Sequence, residues 1–364
     1  MGAAAEIRDV VLQAEGAVSS TIFTTGGAAG DRTQRVATAA EALLAAAARA
    51  QEGQRAAAVL RPSELLGALD ALHRVARGRA PIVVHVVGDL DGAAGLRPGR
   101  DEIAPALDVG AGVLVAWSAQ DSVDLTLAAR RAAEDGETPF VIVSDGGGPV
   151  MSLPGTGLVE RFLGAGARHP AGAPPAVAPG AADVDVKRRE RSYAARAPFA
   201  LAGALRELGE LTGRPISAVE RHETSDAEEV LVAVGQAFPA ALAVAVAARR
   251  EGRRVGAVGV RALRPFYAAE LVKAVARARS VAVLEPLDIA LAPGGPLAQA
   301  LKAAFADALT WAPGFPGVGR IPTIVSVGFA TVEGLATDRD ALAALAELGA
   351  GDRARRQVVL GSEG

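Results

Sequence analysis

The sequence predicts an α/β fold built as two open, mainly parallel-sheet domains in succession. Three observations carry this expectation. Between Glu228 and Pro296, β-branched runs at Val230–Val234, Val255–Val260 and Val281–Leu284 alternate with two helical patterns. Alternation of this kind builds βαβ units, whose strands are buried on both faces and so read as continuous apolar runs. A similar alternation occurs earlier, at Ile82–Val87, Gly112–Trp117 and Phe140–Val143. The two regions are separated by Ala171–Gly180 (AGAPPAVAPG), which follows neither period. The expected organisation is a first domain over 1–165, a linker over 166–197, a second domain over 198–350 and a frayed tail over 351–364.

Taken in order, residues 1–37 are weakly patterned, with a short helix expected at Ile7–Val18 and a glycine-rich turn at Thr24–Gly30. No Gly-Lys-Ser/Thr follows that turn, so it reads as a surface loop and not as a phosphate cradle. Arg35–Ala50 is helical and rich in alanine, and a further helix runs from Pro62-Ser63-Glu64 to Arg77, with Ser63 as its cap. The strand at Ile82–Val87 precedes a glycine- and aspartate-rich loop, Gly88–Pro98. Ser118 and Asp121 form the signature of a capped helix that ends at Gly136. Asp145-Gly-Gly-Gly148 is the turn after the strand at Phe140.

Beyond the linker, a helix at Phe199–Leu211 ends at Gly213. In the next helix Pro239 falls in the first turn, where its missing N–H costs little, and Gly252 follows the last turn. A helix after Pro296 reaches Leu309, a strand follows at Thr323–Val327, and a last helix occupies Asp338–Leu348.

Composition narrows the function. The 364 residues suffice for two cores, and a net charge of -3 gives no reason to expect a nucleic-acid partner. There is no cysteine, so this polypeptide holds no disulfide, thiolate zinc or iron–sulfur cluster. The four histidines are scattered without metal-ligand spacing, and His85, on an apolar strand, reads as a satisfied core or interface residue. The N-terminus carries no secretory signal, and no uncharged apolar run is long enough to span a bilayer; a cytoplasmic protein without a membrane role is expected. A nucleotide-binding dehydrogenase is disfavoured because no Gly-x-Gly-x-x-Gly follows a strand.

Five segments nevertheless have a specific character: Leu211–Arg214 (LTGR), Ser225–Gly235 (SDAEEVLVAVG), Val260–Phe266 (VRALRPF), Val281–Pro286 (VAVLEP) and Ala292–Leu297 (APGGPL). Together with Ser63–Arg74, Ile82–Val86 and Ser118–Gly146 in the same order, they resemble the pyruvate:ferredoxin oxidoreductase family. The similarity is to the α-chain part of 2-oxoacid:ferredoxin oxidoreductases, over roughly 57–348. It implies a thiamine-fold pyrimidine-binding domain followed by a domain similar to the C-terminal domain of transketolase.

The resemblance also implies chemistry on thiamine diphosphate with magnesium, by which a 2-oxoacid is decarboxylated, electrons pass to iron–sulfur clusters and the acyl group reaches coenzyme A. The pyrimidine domain of such enzymes contributes a glutamate that acts as a proton relay. The diphosphate is held by a Gly-Asp-Gly motif followed by asparagine, and this sequence contains no asparagine. The resemblance therefore implies a diphosphate-binding, iron–sulfur-bearing partner chain, with coenzyme A and ferredoxin reached through the complex. The expected state is a hetero-oligomer.

This sequence departs from the family's pattern at the site. The family's Tyr-Pro-Ile-Thr-Pro segment has no counterpart in residues 1–37. Carried back without gaps, the glutamate position falls on Ala39, and the nearest carboxylate is Glu41, the candidate catalytic residue. Two residues along a helix are a rotation of about 200°, so Glu41 would face away unless an indel intervenes. Asp89 stands where the family has an arginine for the substrate carboxylate, Gly99–Glu102 replaces a Gly-Asp-His pattern, and Val327–Gly334 replaces a glycine-rich turn. Two readings stay open: an α-type subunit active with its partner, or a non-catalytic relative acting as a structural or regulatory subunit. For the remaining residues the bland expectations are turn support for Arg261 and Arg264 and turn formation for Asp145. Glu285 is expected to lie at a ligand-binding sheet edge with no partner in sequence.

Overall fold

The computed structural model describes residues 2–26, 32–87, 101–144, 147–168, 184, 187, 191, 194–286, 291–330, 338–349 and 356–361. The chain divides into two compact units, the first comprising Met1–Ala94 and Pro105–Ala218, the second Gly95–Ala104 and Val219–Gly364.

The first unit contains α1 (Gly2–Val18), β1 (Thr21–Thr24), β2 (Thr33–Arg35), α2 (Ala39–Gln51), β3 (Ala56–Leu60), α3 (Pro62–Gly67) and α4 (Leu69–Arg77). It continues with β4 (Val83–Val87), β5 (Gly112–Val115), α5 (Ala119–Gly136), β6 (Phe140–Ser144), α6 (Thr156–Leu163) and α7 (Ala197–Thr212). Its strands run in the order β5-β6-β4-β3-β1-β2. Each of these neighbours is paired in parallel. Strands β3, β4 and β6 are buried at every position, as a sheet covered on both faces requires. One cover is α1, whose Ile7 and Val11 pack with Ile22, Val59, Val87 and Ala119.

Three strands of the first unit escaped the sequence reading. Residues 56–60 read AAAVL, and alanine favours helices intrinsically, so its burial on a parallel sheet decides the conformation instead. β1 and β2 are short, and β2 overturns the expectation of a helix from Arg35; α2 begins only at Ala39, capped by Thr38. The next helix is also corrected. Its cap is Arg61 and not Ser63, Pro62 takes the first helical position, and the segment is divided at Ala68 into α3 and α4.

The capped helix α5 is as expected. The Asp121 N–H donates to Ser118 Oγ at 3.1 Å, and Asp121 Oδ2 accepts from the Trp117 N–H at 3.1 Å. Helix α7, expected to open the second domain, packs along α5 and lies in the first unit. The turn after it, where Gly213 takes φ +69°, delivers Arg214 to α5. Arg214 grips Asp124 in a fork, Nη2 to Oδ1 at 2.6 Å and Nε to Oδ2 at 3.1 Å. Leu211–Arg214 is thus an anchor within the first unit. The linker expected at 166–197 lies mostly outside the described residues.

The second unit contains β7 (Val219–His222), β8 (Glu229–Val234), α8 (Ala237–Arg250), β9 (Val255–Val260), β10 (Ala262–Arg264) and α9 (Ala268–Val275). It ends with β11 (Ser280–Glu285), α10 (Pro296–Leu309), β12 (Thr323–Ala330), α11 (Asp338–Gly349) and β13 (Gln357–Gly361). The six-stranded sheet has the order β13-β12-β11-β8-β9-β7. Only β7 is antiparallel to its neighbour among these pairs. The tail expected to fray instead adds β13 in parallel to β12, with Val358 opposite Val327. Among the described residues no helix is long and apolar enough to cross a membrane.

Candidate functional site

Parallel α/β sheets bind ligands beyond the carboxyl ends of their strands. In the first unit that edge bears a cavity of about 400 Å³ lined by Thr25, Ala37, Thr38, Ala39, Ala40, Glu64 and Gly67. Thr25 follows the last residue of β1, residues 37–40 form the entry to α2, and Glu64 and Gly67 belong to α3. The parallel pairing of β1 with β3 sets these elements side by side.

Two glutamates have contrasting places there. Glu41, the candidate from sequence, is exposed and engaged in capping α2. Its N–H donates to Thr38 Oγ1 at 3.1 Å, and its Oε2 accepts from the Ala37 N–H at 3.0 Å. It is not among the cavity-lining residues, whereas the buried Ala39 is. That separation is what a rotation of about 200° between the two positions requires.

Glu64 does line the cavity. Its Oε1 accepts from the Thr25 hydroxyl at 2.7 Å and from Arg61 Nη2 at 2.8 Å, and its Oε2 from the Arg61 N–H at 2.9 Å. Partial burial opposes the charge of this carboxylate. The Arg61 backbone N–H and guanidinium, with the Thr25 hydroxyl, outweigh burial and hold it below the usual range. No sequence signal pointed to Glu64, because its connection to Thr25 spans 39 positions.

His85 is a core residue, fully buried on β4. Its Nε2 lies 2.8 Å from Oε2 of the equally buried Glu15 of α1. Glu15 Oε1 accepts from Arg130 Nη2 at 2.7 Å and from the Ser19 hydroxyl at 2.5 Å. Burial alone would raise the Glu15 carboxyl; Arg130, His85 and Ser19 bring it down instead to about 2. Arg130 also donates to the carbonyls of Pro81 and Ala56. The cluster pins α1 to the sheet and to α5. A second buried pair in this unit, Arg55 Nε to Glu134 Oε1 at 2.7 Å, holds the segment after α6 through the carbonyls of Leu163, Gly164 and Gly166.

In the second unit Glu285 has partners that the sequence did not disclose. It is buried at the end of β11 and accepts from the Leu297 N–H at 2.5 Å and the Ala298 N–H at 3.3 Å, the first turn of α10. Gly294 and Gly295 make the turn beside it, and the Gly295 N–H donates to Ser326 Oγ at 2.9 Å. Burial pushes the Glu285 carboxyl up to about 7, the helix N–H groups and Lys302 opposing it only in part. Arg261 donates from Nη1 to Glu220 Oε2 on β7 at 2.8 Å, and Arg264 to its neighbour's carbonyl at Leu263. Asp89, Asp145, Gly99 and Arg100, the side chains of Asp101 and Glu102, and residues 331–334 lie outside the described residues. Among the described residues no group of three or more His, Asp or Glu side chains is placed to hold a metal ion.

Residues 227–317 match the family described as pyruvate:ferredoxin oxidoreductase core domain II. The chain is 38% identical over 104 residues to pyruvate synthase subunit PorA of Methanothermobacter thermautotrophicus, covering 29% of this chain and 27% of that one. It is 27% identical over 285 residues to pyruvate synthase subunit PorA of Thermotoga maritima, covering 72% and 71%. Among solved structures, 2-oxoglutarate:ferredoxin oxidoreductase from Magnetococcus marinus superposes with TM-score 0.58 at 14% identity, over 94% of this chain and 64% of that one. A split gene transketolase, solved as an inactive β4 tetramer, gives TM-score 0.59 at 16% identity, over 95% and 99%. Both structures bear on the fold, which is α/β and transketolase-like in its two parts. The chain is thus similar to α-type subunits of pyruvate:ferredoxin oxidoreductases, and it carries a match to that family's core domain II at residues 227–317.

Proposed function

We propose that this chain is the α-type subunit of a 2-oxoacid:ferredoxin oxidoreductase assembly, contributing the ring-binding half of a thiamine diphosphate site completed by a partner chain. The observation that carries this reading is the cavity at the carboxyl edge of the first sheet, whose wall includes Ala39, on which the family's glutamate falls when carried back from Ser63 without gaps. Its volume of about 400 Å³ accommodates one heteroaromatic ring, and small residues line it at 37, 39, 40 and 67. The diphosphate and magnesium fall to the partner, since this sequence has no asparagine for the binding motif. The clusters fall to it as well, since there is no cysteine. When bound, the cofactor would supply the electron sink for decarboxylating a 2-oxoacid. This chain's own residues would seat the ring against Ala39 and Ala40, with the Glu64 carboxylate in the same wall.

One observation favours the second reading, a non-catalytic subunit: Ala39 has no proton to relay, and Glu41 is exposed and engaged in capping. The two readings separate on one preparation. The tagged chain is purified from its native cells with its bound partners. Iron and sulfide are then quantified, and viologen reduction by pyruvate and by 2-oxoglutarate is followed with coenzyme A. A cysteine-bearing, iron-loaded partner with turnover supports the α-type subunit. The same partner without turnover supports the non-catalytic one, and no such partner overturns both.

A further inference from the structure

We propose that Glu64 is the carboxylate that anchors a donor-bearing planar ring in the cavity beside Ala39, replacing from α3 an acid that α2 does not provide. This rests on the reading of the first unit given above and adds a binding residue to it.

Glu64 is the acidic side chain in a wall otherwise made of two threonines and small residues. The small side chains of Ala39 and Ala40, with Gly67, leave room for the face of a ring, while a fixed carboxylate suits an N–H at its edge. The carboxylate is already oriented by the Thr25 hydroxyl at 2.7 Å and the Arg61 N–H at 2.9 Å. An ionised carboxylate offers about four acceptor positions. Two donors occupy Oε1 and one occupies Oε2, so Oε2 has capacity for one more. The charge favoured by Arg61 and Thr25 suits an acceptor that keeps its ionised form and receives a hydrogen bond. Glu41 is not part of this wall, and its carboxylate is engaged by the Ala37 N–H.

The test is an NMR titration of the intact chain with 4-amino-2-methylpyrimidine, and with 2-methylpyrimidine as the ring lacking the amino donor. Wild type, Glu64→Gln and Glu41→Gln are compared. Gln at position 64 can still accept from the Arg61 N–H through its one oxygen while its amide N–H donates to the Thr25 hydroxyl, so a role confined to the fold would leave ring binding unmoved. The expected result is perturbation of the Ala39, Ala40 and Gly67 amides by the aminated ring, weakened at least tenfold in Glu64→Gln and unchanged in Glu41→Gln. The unaminated ring should bind the two forms alike. Equal binding of the aminated ring to wild type and Glu64→Gln would overturn the assignment, as would a loss confined to Glu41→Gln or the absence of any perturbation at this wall. Should Glu64→Gln fail to fold, Glu64→Asp replaces it, drawing the carboxylate back by one methylene; undiminished binding there also overturns the assignment. None of these outcomes depends on a partner chain, so a failure here is distinct from the failure to find an iron-loaded partner.

Discussion

The hydroxyl of Thr25 donates to Glu64 Oε1 at 2.7 Å, joining the end of β1 to the first turn of α3 at the carboxyl edge of the sheet. Thr25→Val keeps the shape and removes the bond. A neutral hydrogen bond to a charged acceptor contributes about 1.5–3 kcal/mol when buried. Glu64 is only partly buried and keeps its Arg61 partners, so a loss of about 1 kcal/mol is expected. Urea denaturation with an unchanged m-value measures it.

A larger effect is expected at the buried cluster. Glu15→Gln leaves Arg130, fully buried, without its counter-charge. Breaking a buried pair on one side costs about 3–5 kcal/mol. The pH dependence has a definite sign: the folded carboxyl is depressed to about 2 from an ordinary 4.5. Its stabilisation is therefore complete above about pH 4.5 and is lost as pH falls through about 2. Acid titration of wild type should show this loss and the Glu15→Gln variant should lack that component.

Glu285 should behave in the opposite sense. Its folded value is raised to about 7 from 4.5, so the unfolded chain releases the proton first. The contribution is fully present below about pH 4.5 and is lost as pH rises through about 7. Melting temperature measured across that window should fall less steeply in Glu285→Gln than in wild type.

Gly112 of β5 lies opposite Phe140 of β6 in the sheet register. An added Cβ would stand 2.3 Å from Phe140 Cδ1, and that ring is fully buried. Gly112→Ala should cost about 1–3 kcal/mol by overpacking, and Phe140→Leu in the same chain should recover part of it. Chemical denaturation of the single and double variants checks the coupling.

The second unit was legible almost throughout, because Val230–Val234, Val255–Val260 and Val281–Leu284 are β-branched runs bounded by capped helices, so pattern and propensity agree. The edge strands β7 and β13 were not, since VERH carries two charges and a histidine and β13 depends on pairing with β12. In the first unit AAAVL became a strand through burial that no local preference announces. The site was legible in part. Helical geometry alone turned Glu41 away from Ala39, and the structure shows it capping the helix. Glu64 stood within a segment read only as a helix, and its meeting with Thr25 depends on β3, the strand that alanine concealed.

The most direct test of the account is calorimetric titration of thiamine diphosphate with magnesium into the purified chain alone and into the assembly that copurifies with it. Binding is expected to be far tighter in the assembly than in the chain alone, weakened by Glu64→Gln and unaffected by Glu41→Gln. Binding by the isolated chain as tight as by the assembly would contradict the shared site. Absence of binding in an intact assembly would contradict it too, and would leave a subunit that keeps the α-chain scaffold without its cofactor.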